Sequence, residues 1–342
     1  MAELISLLNT LRSDTPIFRT LRRVIIDTDT ISLGNNAVVA RCSVGGRSRA
    51  MRLKCYYRRH PNLAEIYNSG YLPREVGIYS LGGKVSYVDA VLTPWVEGTP
   101  LDVVMQQADA DYATLGARFD AMAHALMSKP YAHGDLKPSN IILRSSGAMQ
   151  LIDWDAMWRA DMRMPSNEWG TPAFNHPKRG RNDHNVHIDD YSIVLISTTL
   201  AALAADSRAL RPYLREDGSL FDTELLVRGE EPLLDYALKL FEQRGDVIHY
   251  HEAELLRSPH YALPSIHEWQ STSGVTPERL IVESCVRCGA EESPTSNDSG
   301  ITADDERLVA LYSSGAMIRS IARQLNCSES TIRRRIRRLR LK

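Results

Sequence analysis

Tyr131-Ala132-His133-Gly134-Asp135-Leu136-Lys137-Pro138-Ser139-Asn140-Ile141-Ile142-Leu143, followed by Leu151-Ile152-Asp153-Trp154-Asp155, is the stretch on which the fold turns. Its short apolar runs predict short strands, and its polar residues fall between them or directly after the second. A lone His-x-Asp says little, and a polar turn holding hydrogen-bonded carboxylates is the plain alternative. The combination is far more specific. Within 21 residues it offers a carboxylate able to accept a proton (Asp135), a cation two residues on (Lys137), and two hard oxygen ligands suited to Mg²⁺ (Asn140 and Asp153).

Working outward, residues 1–23 open with leucines at helical spacing (Leu4, Leu8, Leu11), a short helical extension. Residues 24–97 have strand character. Short runs at 24–26, 37–40 and 50–54 flank Gly45-Gly46, and Gly82-Gly83 separates runs at 76–81 and 85–95, so two hairpins are expected. After Glu97-Gly98-Thr99 helical spacing takes over, with helices predicted over 101–105, 112–127, 188–205 and 232–241. A β-rich lobe thus precedes a mainly helical lobe, 98–270, and the fold class is α+β. Residues 271–300 form a linker, because 290–300 hold no apolar side chain larger than Ala. Residues 301–342 make a small unit of their own.

The 342 residues carry 41 Lys+Arg against 42 Asp+Glu. This near balance hides a split, since residues 319–342 carry a net +8 and the remainder −9, which points to a polyanion partner for the tail. The run over 191–205 contains Ser192, Ser197, Thr198 and Thr199 and falls short of the ~20 apolar residues a bilayer span needs, so it reads as a buried helix and no membrane is expected. No basic region followed by an apolar core opens the chain, and five cysteines are few and odd in number, so a cytoplasmic location with reduced thiols is expected. Cys285-Val-Arg-Cys288 is one Cys-x-x-Cys without a second pair, too little for a four-ligand zinc site.

Through His133-x-Asp135-x-x-x-x-Asn140 and the later Asp153, the chain resembles the protein-kinase-like superfamily over roughly residues 24–270, closest to bacterial Ser/Thr protein kinases. The resemblance implies a bilobal fold, ATP and Mg²⁺ as cofactors, and transfer of a phosphoryl group to a protein substrate. It implies Asp135 as the base or orienting group for the attacking hydroxyl, Lys137 beside the transferring phosphate, and Asn140 and Asp153 as metal ligands. His133 would brace the loop, and Asp189, in Ile188-Asp-Asp-Tyr191, would accept its backbone hydrogen bonds. Upstream, Ile31-Ser-Leu-Gly34-Asn35-Asn36 looks like a degenerate glycine-rich loop keeping only Gly34, with Asn35-Asn36 able to turn through a left-handed backbone. Lys54 would clamp the α- and β-phosphates, although an ordinary surface lysine fits the same sequence. Its partner is open between Glu65 and Glu75, with Glu65 preferred. The hinge resembles Leu92–98, with Trp95 and Glu97 against the base.

Downstream, Trp169-Gly-Thr171-Pro resembles the substrate-positioning segment of protein kinases, with Thr171 typical of Ser/Thr specificity. Lys178 replaces a usual glutamate there. Gly134 stands where many regulated kinases carry an arginine that grips a phosphorylated loop, so activity is not expected to depend strictly on such phosphorylation. Ile152-Asp-Trp-Asp155 is closer to small-molecule kinases of the aminoglycoside and choline type, which lack the Gly-Thr-Pro segment. A small-molecule acceptor is therefore one alternative, and a pseudokinase controlling the tail is another.

In the tail, stretches at 302–313, 317–325 and 329–341 are broken near Gly315 and Asn326, and Ser328 suits an N-cap. This resembles the helix-turn-helix of resolvases and invertases. It implies double-stranded DNA as a partner, with Ser328, Ser330, Thr331, Arg333, Arg334 and Arg337 at the groove or its phosphates. An arginine-rich solvated helix is the plain alternative.

Overall fold

The computed structural model describes residues 2–46, 49–79, 83–162, 166–180, 182–266 and 308. The chain divides into two compact units, Met1–Cys288 and Gly289–Lys342. The helix-turn-helix expectation, with Ser328, Ser330, Thr331, Arg333, Arg334 and Arg337, lies outside the described residues, as do Cys285 and Cys288.

The first unit is α+β. Five strands, β1 (Ile25–Leu33), β2 (Ala37–Ser43), β3 (Met51–Tyr56), β4 (Tyr71–Tyr79) and β5 (Val85–Pro94), form one antiparallel sheet in the order β1-β2-β3-β5-β4. Strand alternation places Leu53 and Cys55 on one face of β3 and Arg52, Lys54 and Tyr56 on the other. The first face joins Val38, Val76 and Ile78 in a core that α1 (Ala2–Leu11) completes with Leu7 and Leu11, both essentially without exposure. The N-terminal extension therefore belongs to the packing of the sheet. Glu75 holds the chain between α1 and β1, accepting from the Thr20 and Leu21 amides at 2.8 and 2.7 Å and from the Thr20 hydroxyl at 2.6 Å.

A five-residue helix, α2 (Leu63–Tyr67), lies between β3 and β4. Beyond β5 come β6 (Thr99–Pro100), α3 (Leu101–Met105) and α4 (Tyr112–Met127), then β7 (Tyr131–Ala132), β8 (Ile141–Leu143), β9 (Met149–Leu151) and β10 (Trp158–Arg159). The strands β6, β8 and β9 form a small sheet, and β7 pairs with β10. Helix α5 (Asp190–Leu210) follows, then α6 (Thr223–Arg228), α7 (Pro232–Arg244) and α8 (Val247–Leu255). Their ends carry the expected signals: Asp222 and Asp246 N-cap α6 and α8, Pro232 opens α7, and Gly229 and Gly245 close α6 and α7 in the left-handed conformation. Helix α5 runs through the helical core with fourteen residues buried, Tyr191, Leu195 and Leu203 among them. Among the described residues its stretch is the one helix long and apolar enough to cross a membrane, and it is mostly buried within the protein.

Candidate active site

Sheet pairing builds the first wall of the site. Lys54 lies opposite Val39 on β2 and Val91 on β5, and its side chain is 7% exposed. Its ammonium stands 2.5 Å from Asp153 Oδ1 and 2.6 Å from Asp155 Oδ2. Arg52, two residues back on the same face, reaches Asp153 Oδ1 at 3.4 Å. Burial works against the lysine's charge, but the two carboxylates outweigh it and raise its proton affinity above the ordinary value. Burial likewise works against Asp153, and Lys54 and Arg52 overcome it, holding that carboxyl well below the usual range.

Here the expected glutamate partner is corrected. Among the described residues no ion pair joins Lys54 to Glu65 or Glu75. Glu75 is turned to the Thr20-Leu21 amides, and α2 presents Tyr67 to the site, with its hydroxyl 2.5 Å from Asp155 Oδ1. A strand glutamate committed to the backbone amides of the segment that runs along the outer edge of β4 is not free to serve a lysine in the cleft.

The decisive stretch forms the second wall. Asp153 has φ +68°, a left-handed conformation at a non-glycine residue, and opens the turn Trp154–Ala156. Asp135 lies on the loop after β7. Its Oδ1 accepts from the Thr171 hydroxyl at 2.9 Å, and its Oδ2 faces Lys137 at 2.9 Å and the Asn140 amide at 3.2 Å. Lys137 also donates to the Thr171 hydroxyl at 2.7 Å, so Asp135, Lys137 and Thr171 close a triangle. Asn140 donates to the Asp135 carbonyl at 2.9 Å, which uses its nitrogen and leaves Oδ1 for other ligands.

The loop is held from below. Asp189 sits at the N-terminus of α5 yet caps none of its own amides. Its carboxylate accepts instead from the His133 amide and, at 2.8 Å, from the Gly134 amide. Burial raises its proton affinity despite these bonds. His133 Nδ1 accepts from the Asp135 amide at 3.4 Å, so Nε2 carries the proton and donates to the Ile152 carbonyl at 2.9 Å. His133 thereby ties the Asp135 loop to the residue before Asp153, the bracing role expected of it.

The structure gives Gly134 a steric reason to be glycine. Its φ is +84°, and a Cβ there would lie 2.0 Å from the Ala156 carbonyl oxygen. Only glycine lets the two loops approach this closely. An arginine does reach the loop, from the other side: Arg179 donates to Asn175 Oδ1 at 3.0 Å and to the Gly134 carbonyl at 3.3 Å. Its neighbour Lys178 is exposed.

Between the walls lies a cleft of about 550 Å³, lined by Gly34, Val39, Lys54, Trp95, Lys137, Asn140 and Asp153 among others, within the range of small-molecule sites. Glu97 is not brought in. Val96 and Gly98 line the cleft, while Glu97 pairs with Arg41 at 2.8 Å on the surface, and that guanidinium also lies over the Trp95 ring. The turn at Gly34 is tight, with the Gly34 amide donating to the Ala37 carbonyl at 2.8 Å, but neither Asn35 nor Asn36 adopts a positive φ. The Asn36 side chain instead donates to Glu168 at 2.8 Å. Burial first, and then the nearby Asp155 charge, push Glu168 up to about 7.

Sequence reasoning missed Asp155, Tyr56, Tyr67, Arg52, Glu168 and Arg179. The period-two alternation of β3 was the available signal for Arg52 and Tyr56, since both share the face of Lys54. His60, Asp155 and Glu168 bring ligand atoms within 4.8 Å of one another. They make a poor cation site, because Lys54, Tyr56 and Tyr67 already use both Asp155 oxygens. No protein-family model matches the chain, and no curated protein matches it.

Proposed function

We propose that the first unit is an ATP- and Mg²⁺-dependent phosphotransferase acting on a Ser or Thr hydroxyl of a protein. The observation that carries this reading is the Thr171 hydroxyl, held between Asp135 Oδ1 at 2.9 Å and Lys137 Nζ at 2.7 Å. An alcohol already rests on the carboxylate proposed to receive an alcohol's proton. The donor set fits the cofactors, with Asn140 Oδ1 and the Asp153 carboxylate offering hard oxygens in the cleft and Lys54 offering a cation for phosphate. Bound between those oxygens, Mg²⁺ would supply charge neutralisation for the triphosphate.

The chain's own residues then act as follows. Asp135 orients the acceptor hydroxyl and takes its proton as the new O–P bond forms and the bond between the β- and γ-phosphates breaks, leaving ADP. Lys137 stabilises charge on the moving phosphoryl group. Lys54 holds the part of the nucleotide that stays behind. The Gly170-Thr171-Pro172 segment, which the small-molecule kinases suggested by the Asp153-Trp-Asp155 pattern lack, brings Thr171 onto Asp135 and Lys137 and favours a protein acceptor.

The test is radiolabel transfer from γ-labelled ATP with Mg²⁺ to the chain itself and to a protein mixture. Transfer that Asp135→Asn abolishes without unfolding supports the reading. A folded wild type that transfers nothing refutes it. The tail is proposed to bind double-stranded DNA on the strength of its +8 charge. An affinity that does not fall with salt would contradict that. The free thiols of Cys42 and Cys55, buried and shifted upward by burial, are consistent with a cytoplasmic setting.

A further inference from the structure

Two carboxylates touch Lys54, and their surroundings differ. The Asp153 side chain is 29% exposed and lines the cleft, whereas that of Asp155 has no exposure at all. Among the described residues, the donors to the Asp155 carboxylate come from the β-rich lobe: the Lys54 ammonium at 2.6 Å, the Tyr56 hydroxyl at 2.9 Å to each oxygen, and the Tyr67 hydroxyl at 2.5 Å. Its backbone carbonyl is fixed as well, by the Ser166 hydroxyl at 3.1 Å. Asp153 must turn its oxygens to a cation if it is to bind one. Asp155 has no such second task, because its oxygens are spoken for and its position is closed to solvent.

We propose that Asp155 is the positioning residue that holds the Lys54 ammonium in place for a triphosphate, with Tyr56 and Tyr67 fixing the carboxylate. This rests on the cleft being a nucleotide site. The work expected of a helix glutamate is reassigned, so that the negative charge comes from the turn after Asp153 and α2 supplies a hydroxyl. Lysine anchor and metal ligand then sit two residues apart on one short turn. A shift of α2 would disturb the Tyr67 bond but would not carry the lysine's counter-charge away.

The test uses the full chain and two independent readouts. The first is the rate at which Lys54 is acetylated by acetic anhydride, followed by mass spectrometry. In Asp155→Asn the lysine loses one of its two carboxylate contacts, so its amine is less tightly held. Labelling should rise severalfold in Asp155→Asn, rise less in Tyr67→Phe, and stay unchanged in Glu65→Gln. Tyr67→Phe keeps all charges and serves if Asp155→Asn fails to fold. A response to Glu65→Gln with none to Asp155→Asn or Tyr67→Phe overturns the assignment.

The second readout is kinetic. Asp155→Asn should lower kcat by about tenfold or more, as expected for a displaced cation at the reacting phosphates. The double variant Lys54→Met/Asp155→Asn should be no slower than Lys54→Met alone, because Asp155 acts through the lysine. Multiplicative losses would instead mark a general structural role and refute the proposal. A folded wild type that binds no Mg·ATP refutes the nucleotide reading itself, a result distinct from labelling that fails to respond.

Discussion

Replacing Gly134 by alanine tests how closely the Asp135 loop and the turn after Asp153 are fitted. Two costs add. The first is the backbone conformation, φ +84°, which costs an L-residue about 1–2 kcal/mol. The second is steric: the new Cβ would meet the Ala156 oxygen at 2.0 Å and its carbonyl carbon at 2.7 Å. Both are backbone atoms, so no side chain can swing aside, and the loops must part by more than 1 Å as a rough measure of the overlap. Parting strains the Gly134 amide bond to Asp189, a hydrogen bond to a charged group worth about 1.5–3 kcal/mol. A total near 3–5 kcal/mol is a large share of a typical ~5–15 kcal/mol stability, and corresponds to a fall in Tm of roughly 6–20 °C for a unit of this size. Gly229→Ala is the control. Its φ is +72° with nothing within 4 Å of the added Cβ, so it bears the conformational cost alone, about 1–2 kcal/mol. Both melts are read by circular dichroism. Equal Tm losses in the two variants would refute the collision argument. Gly134→Arg, which adds a larger side chain at the same crowded position, should melt at least as early as Gly134→Ala.

Asp189→Asn keeps one acceptor for the His133 and Gly134 amides but turns the other position into a donor facing an N–H, so denaturant titration should show a loss of about 2–4 kcal/mol. Burial pushes the Glu168 carboxyl from its ordinary 4.5 up to about 7, so the folded state holds more protons and stability falls as pH rises from about 4.5 to 7. Glu168→Gln should flatten that part of the stability–pH profile, and an unchanged slope would remove Glu168 as its source. Glu75→Ala strands the Thr20 and Leu21 amides. It should cost about 2–4 kcal/mol and open residues 12–23 to trypsin under conditions where the wild type is resistant.

Much of this site was legible because its residues act at short sequence range. Asp135, Lys137 and Asn140 lie within six residues, and the local turn Pro138–Asn140 is enough to bring them together. The boundaries of α3 and α4 followed from apolar spacing alone, since their buried faces include Leu101, Met105, Leu115, Phe119 and Met122 at helical intervals. Asp189, 54 residues from Asp135, was singled out only through the resemblance of Ile188-Asp-Asp-Tyr191, since no local spacing encodes its bonds to the His133 and Gly134 amides.

What escaped was charge pairing across the fold. Asp155 was visible as an oddity in the sequence, but Tyr56 and Tyr67 donate to it across 99 and 88 residues, and no local spacing encodes either contact. The same limit bears on Glu65. The resemblance called for a helix glutamate, and Glu65 was preferred because a short helix there leaves room for two strands, the places that α2, β4 and β5 take, with Glu75 on the first of those strands. The fold supplied an acid from the other lobe, and a five-residue helix ending in Tyr67 brings a hydroxyl to that buried acid. A carboxylate with no exposure is tolerated only where each oxygen is satisfied, and two tyrosines and a lysine meet that condition here. The site is thus organised around a buried acid whose partners come from β3 and α2, and it is this acid that joins the β-rich lobe to the loop bearing Asp153.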